Sequence, residues 1–120
     1  MTVQEFVGEL FKIETTTHIA HTQTTGVGSY AQHMALNTLY TEIVGLRDDF
    51  MEAYIGKYMI IKDIPIEKEP EGQDMAVYVK RKATLIEEYE KTLKDGFLQQ
   101  IVQSIIQLLY STNYKLRNLK

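Results

Sequence analysis

The chain has no cysteine and no tryptophan. Without cysteine there is no disulfide framework and no thiolate metal site, which leaves imidazole and carboxylate as the available metal ligands. Proline occurs only twice, at Pro65 and Pro70, on either side of the charged run Ile66-Glu67-Lys68-Glu69. Proline fixes φ and lacks an N–H, so this stretch reads as a connector. No apolar run is long enough to cross a membrane. The opening residues MTVQEFVGEL lack the basic and apolar regions of a signal peptide, so a cytoplasmic protein with no membrane partner is expected. Basic charge is not in excess. The net charge is −3, and nothing global points to nucleic-acid binding.

Apolar residues make up 44% of the 120 positions and charged residues 24%, as in an ordinary globular protein with a real core. No repeat, low-complexity segment or second domain is visible, so residues 1–120 are expected to form one domain. Val3, Phe6, Val7, Leu10, Phe11, Glu14, Thr17, His18 and His21 follow helical spacing and predict a first helix over 2–24. Residues 24–29 are a turn, with Ser29 the candidate N-cap of a second helix that runs to Lys57. After the connector over 58–73, a third helix is predicted from about Gln73 to Lys94, stopped by Asp95-Gly96. The fourth runs from Phe97 to about Asn118 and is apolar nearly all round, which makes it the most buried. The expected fold is all-α: a four-helix bundle with a long connector between the second and third helices.

The second helix organises the chain. At 100° per residue His33, Asn37, Asp48 and Glu52 fall at about 0°, 40°, 60° and 100°, on one narrow face. His33/Asn37 and Asp48/Glu52 are each i,i+4 neighbours, and His21 can sit near His33 across the hairpin. The two pairs are roughly 16 Å apart along the axis, too far for one ion. They join only if a second copy packs antiparallel. Positions 33, 37, 48 and 52 are centred on the midpoint of the stretch 28–57. A two-fold axis near Glu42 and Ile43 therefore lays His33/Asn37 of one copy over Asp48/Glu52 of the other, twice. Leu36, Leu39, Tyr40, Ile43, Leu46, Phe50 and Tyr54 lie roughly opposite and should pack inside the subunit. Val44, Met51 and Ile55 form a second apolar strip on the ligand face. His18 reads as a polar residue near a helix end, and Glu14 as a surface residue.

This pattern resembles the Dps-like mini-ferritin branch of the ferritin-like proteins. In that family a His ends the first helix, a second His follows twelve residues on, an acid comes four residues later, and a D-x-x-x-E pair completes the second helix. His21, His33, Asn37, Asp48 and Glu52 occupy those places, and Gly26 sits in the family's turn. The resemblance covers roughly the first half of the chain. It implies a ferritin-like bundle and a homo-oligomer, a two-fold dimer or a dodecamer. It also implies iron bound by His21 and His33 of one subunit and Asp48 and Glu52 of the other. The protein would then be a ferroxidase that oxidises Fe(II) with oxygen or peroxide for iron storage and oxidative protection, holding iron singly or as a di-iron pair, with Zn as the other metal these ligands suit.

The chain departs from the pattern in several places. Asn37 replaces an acid and offers only a neutral carbonyl oxygen. Thr22 stands where the family has Trp. The connector leaves little room for the family's small extra helix. Lys115, Arg117 and Lys120 are a weak substitute for a lysine-rich tail, so DNA binding through a basic tail is not expected. The alternative reading is a non-enzymatic structural or interaction module, phage- or virion-associated, with a degenerate metal site.

Overall fold

A capping box opens the chain. The Thr2 hydroxyl accepts from the Glu5 amide at 3.1 Å, and the Glu5 carboxylate accepts from the Thr2 amide at 2.8 Å, so two orphan donors of the first helical turn are satisfied. In this computed structural model, which describes all 120 residues, the helix so begun is α1 (Val3–His21). It is followed by α2 (Ser29–Lys57), α3 (Met75–Glu90) and α4 (Gly96–Asn118), and there is no strand.

The direction of each helix follows from contacts at the ends. The 29 residues of α2 span about 44 Å, close to the 47 Å length of the molecule. Lys57 and Tyr58, at the far end of α2, both bond the Asp95 carboxylate just ahead of α4. At the opposite end Asn113 of α4 donates to the Ala76 carbonyl at 2.7 Å, and Gln23 donates to Glu71 at 2.7 Å. The chain between α2 and α3 therefore runs back along the bundle. As a result α3 is parallel to α2, and α4 is antiparallel to both. α2 packs between α1 and α4, and α3 packs on α4 and, less closely, on α1.

The connector crosses the seam between α1 and α3. Ile61 is buried there. Lys82 reaches Glu9 of α1 at 2.5 Å and Glu69 of the connector at 2.8 Å, so a buried cation is met by two carboxylates. Gly8 is needed where the connector passes, because a Cβ on it would collide with the Pro65 carbonyl. Each helix turns one stripe to a shared core: Phe6, Leu10 and Ile13; Leu39, Ile43 and Phe50; Tyr78, Val79 and Ile86; Leu98, Val102, Ile105 and Leu109. Phe6 stacks on Tyr89 at 4.3 Å and meets Phe50 edge-on at 4.8 Å.

Five sequence expectations need correction. α1 stops at His21 and α3 spans only Met75–Glu90; Asp74 caps α3, accepting from the Ala76 and Val77 amides. Ser29 does not cap α2. Gly28 holds that position at φ 82°, with no side-chain cap. Asp95-Gly96 does not stop α3 but begins α4, and the Asp95 carboxylate is spent on Lys57 and Tyr58 rather than on capping. Finally, α4 is one-sided, not apolar all round: Gln100, Gln103, Gln107, Tyr110 and Tyr114 face outward.

Candidate metal centre

The hairpin between α1 and α2 brings the two histidines together. Gly26 and Gly28 sit at φ 85° and 82°, a left-handed conformation that glycine adopts without strain. They return the chain within Thr22–Gly28. His21, the last residue of α1, then lies with its ring 3.7 Å from that of His33, tilted by 28°. His33 Nδ1 is 2.9 Å from the His21 carbonyl. A carbonyl only accepts, so Nδ1 carries a proton, and in the neutral ring the lone pair is then on Nε2. Metal-binding histidines are oriented this way, through a main-chain acceptor on the other ring nitrogen. His21 Nδ1 is buried with no protein partner, an orphan of the kind that an ion or another ligand would satisfy. Burial pushes the His21 pKa below the ordinary histidine value, and the nearby His33 and His18 push it further. A neutral imidazole is the form that binds metal.

Tyr40 braces this pair. Its ring stacks on His18 at 4.0 Å and meets His21 edge-on at 5.1 Å. Its hydroxyl donates to Asn37 Oδ1 at 2.9 Å, so one lone pair of that oxygen is already used. His18 is exposed, and its observed role is to cover Tyr40.

Asp48 and Glu52 lie farther along α2, exposed on its outer face. Within one chain they do not join the histidines. No group of three or more His, Cys, Asp or Glu residues is placed to hold a metal ion, as the spacing along the helix requires. The face between the two pairs carries Val44, half-buried, and Gly45, whose missing Cβ would meet nothing within 4 Å. Tyr30, Met34 and Ile55 on the same face are exposed apolar side chains. A cleft of about 290 Å³ lies elsewhere, between α1 and the connector, with Lys12, Thr16, Gln23 and Glu69 among its lining. None of the five candidate ligands reaches it.

Sequence reasoning missed Arg47. It is only 7% exposed, its guanidinium lies 3.8 Å from the centre of the Phe11 ring, and it forms an ion pair with Glu14. Glu14 is therefore the buried cation's counter-charge and not a free surface residue. Arg47 Nε stands 3.6 Å from Asp48 Oδ1 and has no hydrogen-bond partner. Two signals were available: Arg47 falls at about 320° on the α2 wheel, inside the apolar stripe, and Glu14 lies on the stripe of α1.

A family model described as "Family of unknown function (DUF5856)" matches residues 21–116, a stretch that includes all five candidate ligands. No curated protein and no solved structure matches the chain.

Proposed function

We propose that this chain, which belongs to the DUF5856 family of unknown function, is a ferritin-like subunit that binds and oxidises Fe(II) at sites shared by two antiparallel copies of α2. The observation that carries the reading is the His21–His33 pair, with its stacked rings, the His33 Nδ1–H spent on a main-chain carbonyl, and the buried orphan Nδ1 of His21. The run of the helices supports it, since a crossover between parallel second and third helices is the ferritin-like arrangement.

Each site takes two imidazoles from one copy and Asp48 and Glu52 from the other, with the remaining lone pair of Asn37 Oδ1 beside them. The two carboxylates cancel the charge of one divalent ion, and the imidazoles add neutral ligands of matching softness. Fe(II) would be the substrate: two such ions, each going to Fe(III), would supply the two electrons that, with two protons, reduce one hydrogen peroxide to two waters. The chain supplies geometry and charge, and the redox chemistry is the metal's. Anaerobic Fe(II) titration followed by peroxide, read by near-UV absorbance with particle size by light scattering, tests this. The reading requires stoichiometric binding and fast ferric absorbance in a particle of at least dimer size.

A second reading is supported by Asn37 and Asp48. Asn37 is neutral and already bonded to Tyr40, and Asp48 leans toward Arg47. On that reading the bundle is a structural or interaction module, phage- or virion-associated, that holds Zn or no metal. Absence of Fe(II) binding, with oxidation no faster than in protein-free buffer, would select it.

A further inference from the structure

Arg47 is the most constrained charged group near the proposed site. A buried guanidinium is costly unless its donors are matched. Glu14 takes one end of the fork, and the Phe11 ring covers a face at 3.8 Å. Held on two sides, the group has little freedom left, and its Nε–H remains unbonded although Arg47 is 93% buried. Asp48 Oδ1 stands 3.6 Å from it, beyond hydrogen-bond range. The Asp48 side chain is 57% exposed and forms no hydrogen bond with any other residue. A shift of roughly half an ångström brings Oδ1 within hydrogen-bond distance and uses only one of the two carboxylate oxygens, so Oδ2 is left for another partner.

We propose that Arg47 is a positioning residue for the metal site: its Nε–H takes Oδ1 of Asp48 when Oδ2 binds a divalent ion held by the imidazoles of a second copy. This rests on the metal-site reading above. Glu14 is part of the device, because it cancels the guanidinium charge, so an approaching cation meets a neutral pair instead of a repelling one. Lysine at 47 would keep a cation near Glu14 but would have no Nε–H to offer Asp48. Outer partners of this kind typically contribute about 10–100-fold to metal affinity.

The test uses the full-length chain and Zn²⁺, which is redox-inert. NMR follows the Arg47 Nε–H signal during a Zn²⁺ titration, and calorimetry compares wild type with Arg47→Lys. The proposal expects the Nε–H signal to shift and its exchange with water to slow on binding. It also expects Arg47→Lys to bind about 10–100-fold more weakly at unchanged particle size. Wild type that binds Zn²⁺ with an unmoved Nε–H signal, or a folded Arg47→Lys within about twofold of wild type, overturns this proposal alone. Wild type that binds neither Zn²⁺ nor Fe(II) overturns it together with the metal-site reading. If Arg47→Lys does not fold, the wild-type Nε–H signal decides by itself.

Discussion

The His33 side chain donates from Nδ1 to the main-chain carbonyl of His21 at 2.9 Å, so one residue closes the hairpin and also keeps Nε2 for another partner. His33→Ala should separate these two roles. Losing one such hydrogen bond costs about 1 kcal/mol, or about 4 °C in Tm for a chain of this size. Metal binding should fall to background. Thermal melts and Zn²⁺ calorimetry on the same sample check both.

Acid should weaken the fold through His21. Burial, then the charges of His33 and His18, lowers its pKa from the unfolded 6.5. Below about pH 6.5 the unfolded chain takes up a proton that the folded chain resists. The His21 contribution is therefore complete above pH 6.5 and is lost as pH falls toward the folded value. Tm compared at pH 7.5 and 5.5 should show a drop that is smaller in His21→Gln, and NMR titration should place the His21 midpoint below that of an unfolded histidine.

Glu14→Ala leaves Arg47 buried without its counter-charge. Removing one member of a fully buried pair costs about 3–5 kcal/mol. The Glu14 side chain is 28% exposed and solvent screens part of this, so about 2–3 kcal/mol is expected. Urea unfolding should show a lower midpoint at unchanged slope.

Asn37→Asp puts an anionic residue on the histidine half of the face, which has none. It can still accept the Tyr40 hydroxyl. An added charge within a few ångströms of a divalent ion should tighten binding at least about tenfold, measured by Zn²⁺ or anaerobic Fe(II) titration.

The helices were legible because each carries a continuous apolar stripe, and the connector because Pro65 and Pro70 flag it. The ends were less so. Local rules favour Ser29 as the cap, because serine is a usual capping residue, whereas the turn needs a positive φ at Gly28. Asp95-Gly96 reads as a stop from local rules, but Lys57 and Tyr58, distant in sequence, take the Asp95 carboxylate. α4 reads as apolar nearly all round because Ile101, Ile106 and Leu108 widen its stripe, yet these three are only half-buried and Gln100, Gln103 and Gln107 mark an outward side. At the candidate site, helical spacing alone gave the shared face and the separation of the two ligand pairs. It could not give the Arg47–Glu14 pair or the Tyr40 brace, which depend on how α1 meets α2.

A site shared between two copies can be rebuilt by mixing variants that each lack one half of it. His33→Ala and Asp48→Ala chains each break both sites of their own dimer. In a mixed dimer one site is doubly broken and the other keeps every ligand. After unfolding and refolding an equimolar mixture, Zn²⁺ capacity should recover to about a quarter of wild type, while each variant refolded alone stays at background. No recovery in verified mixed dimers would contradict a site built from two copies.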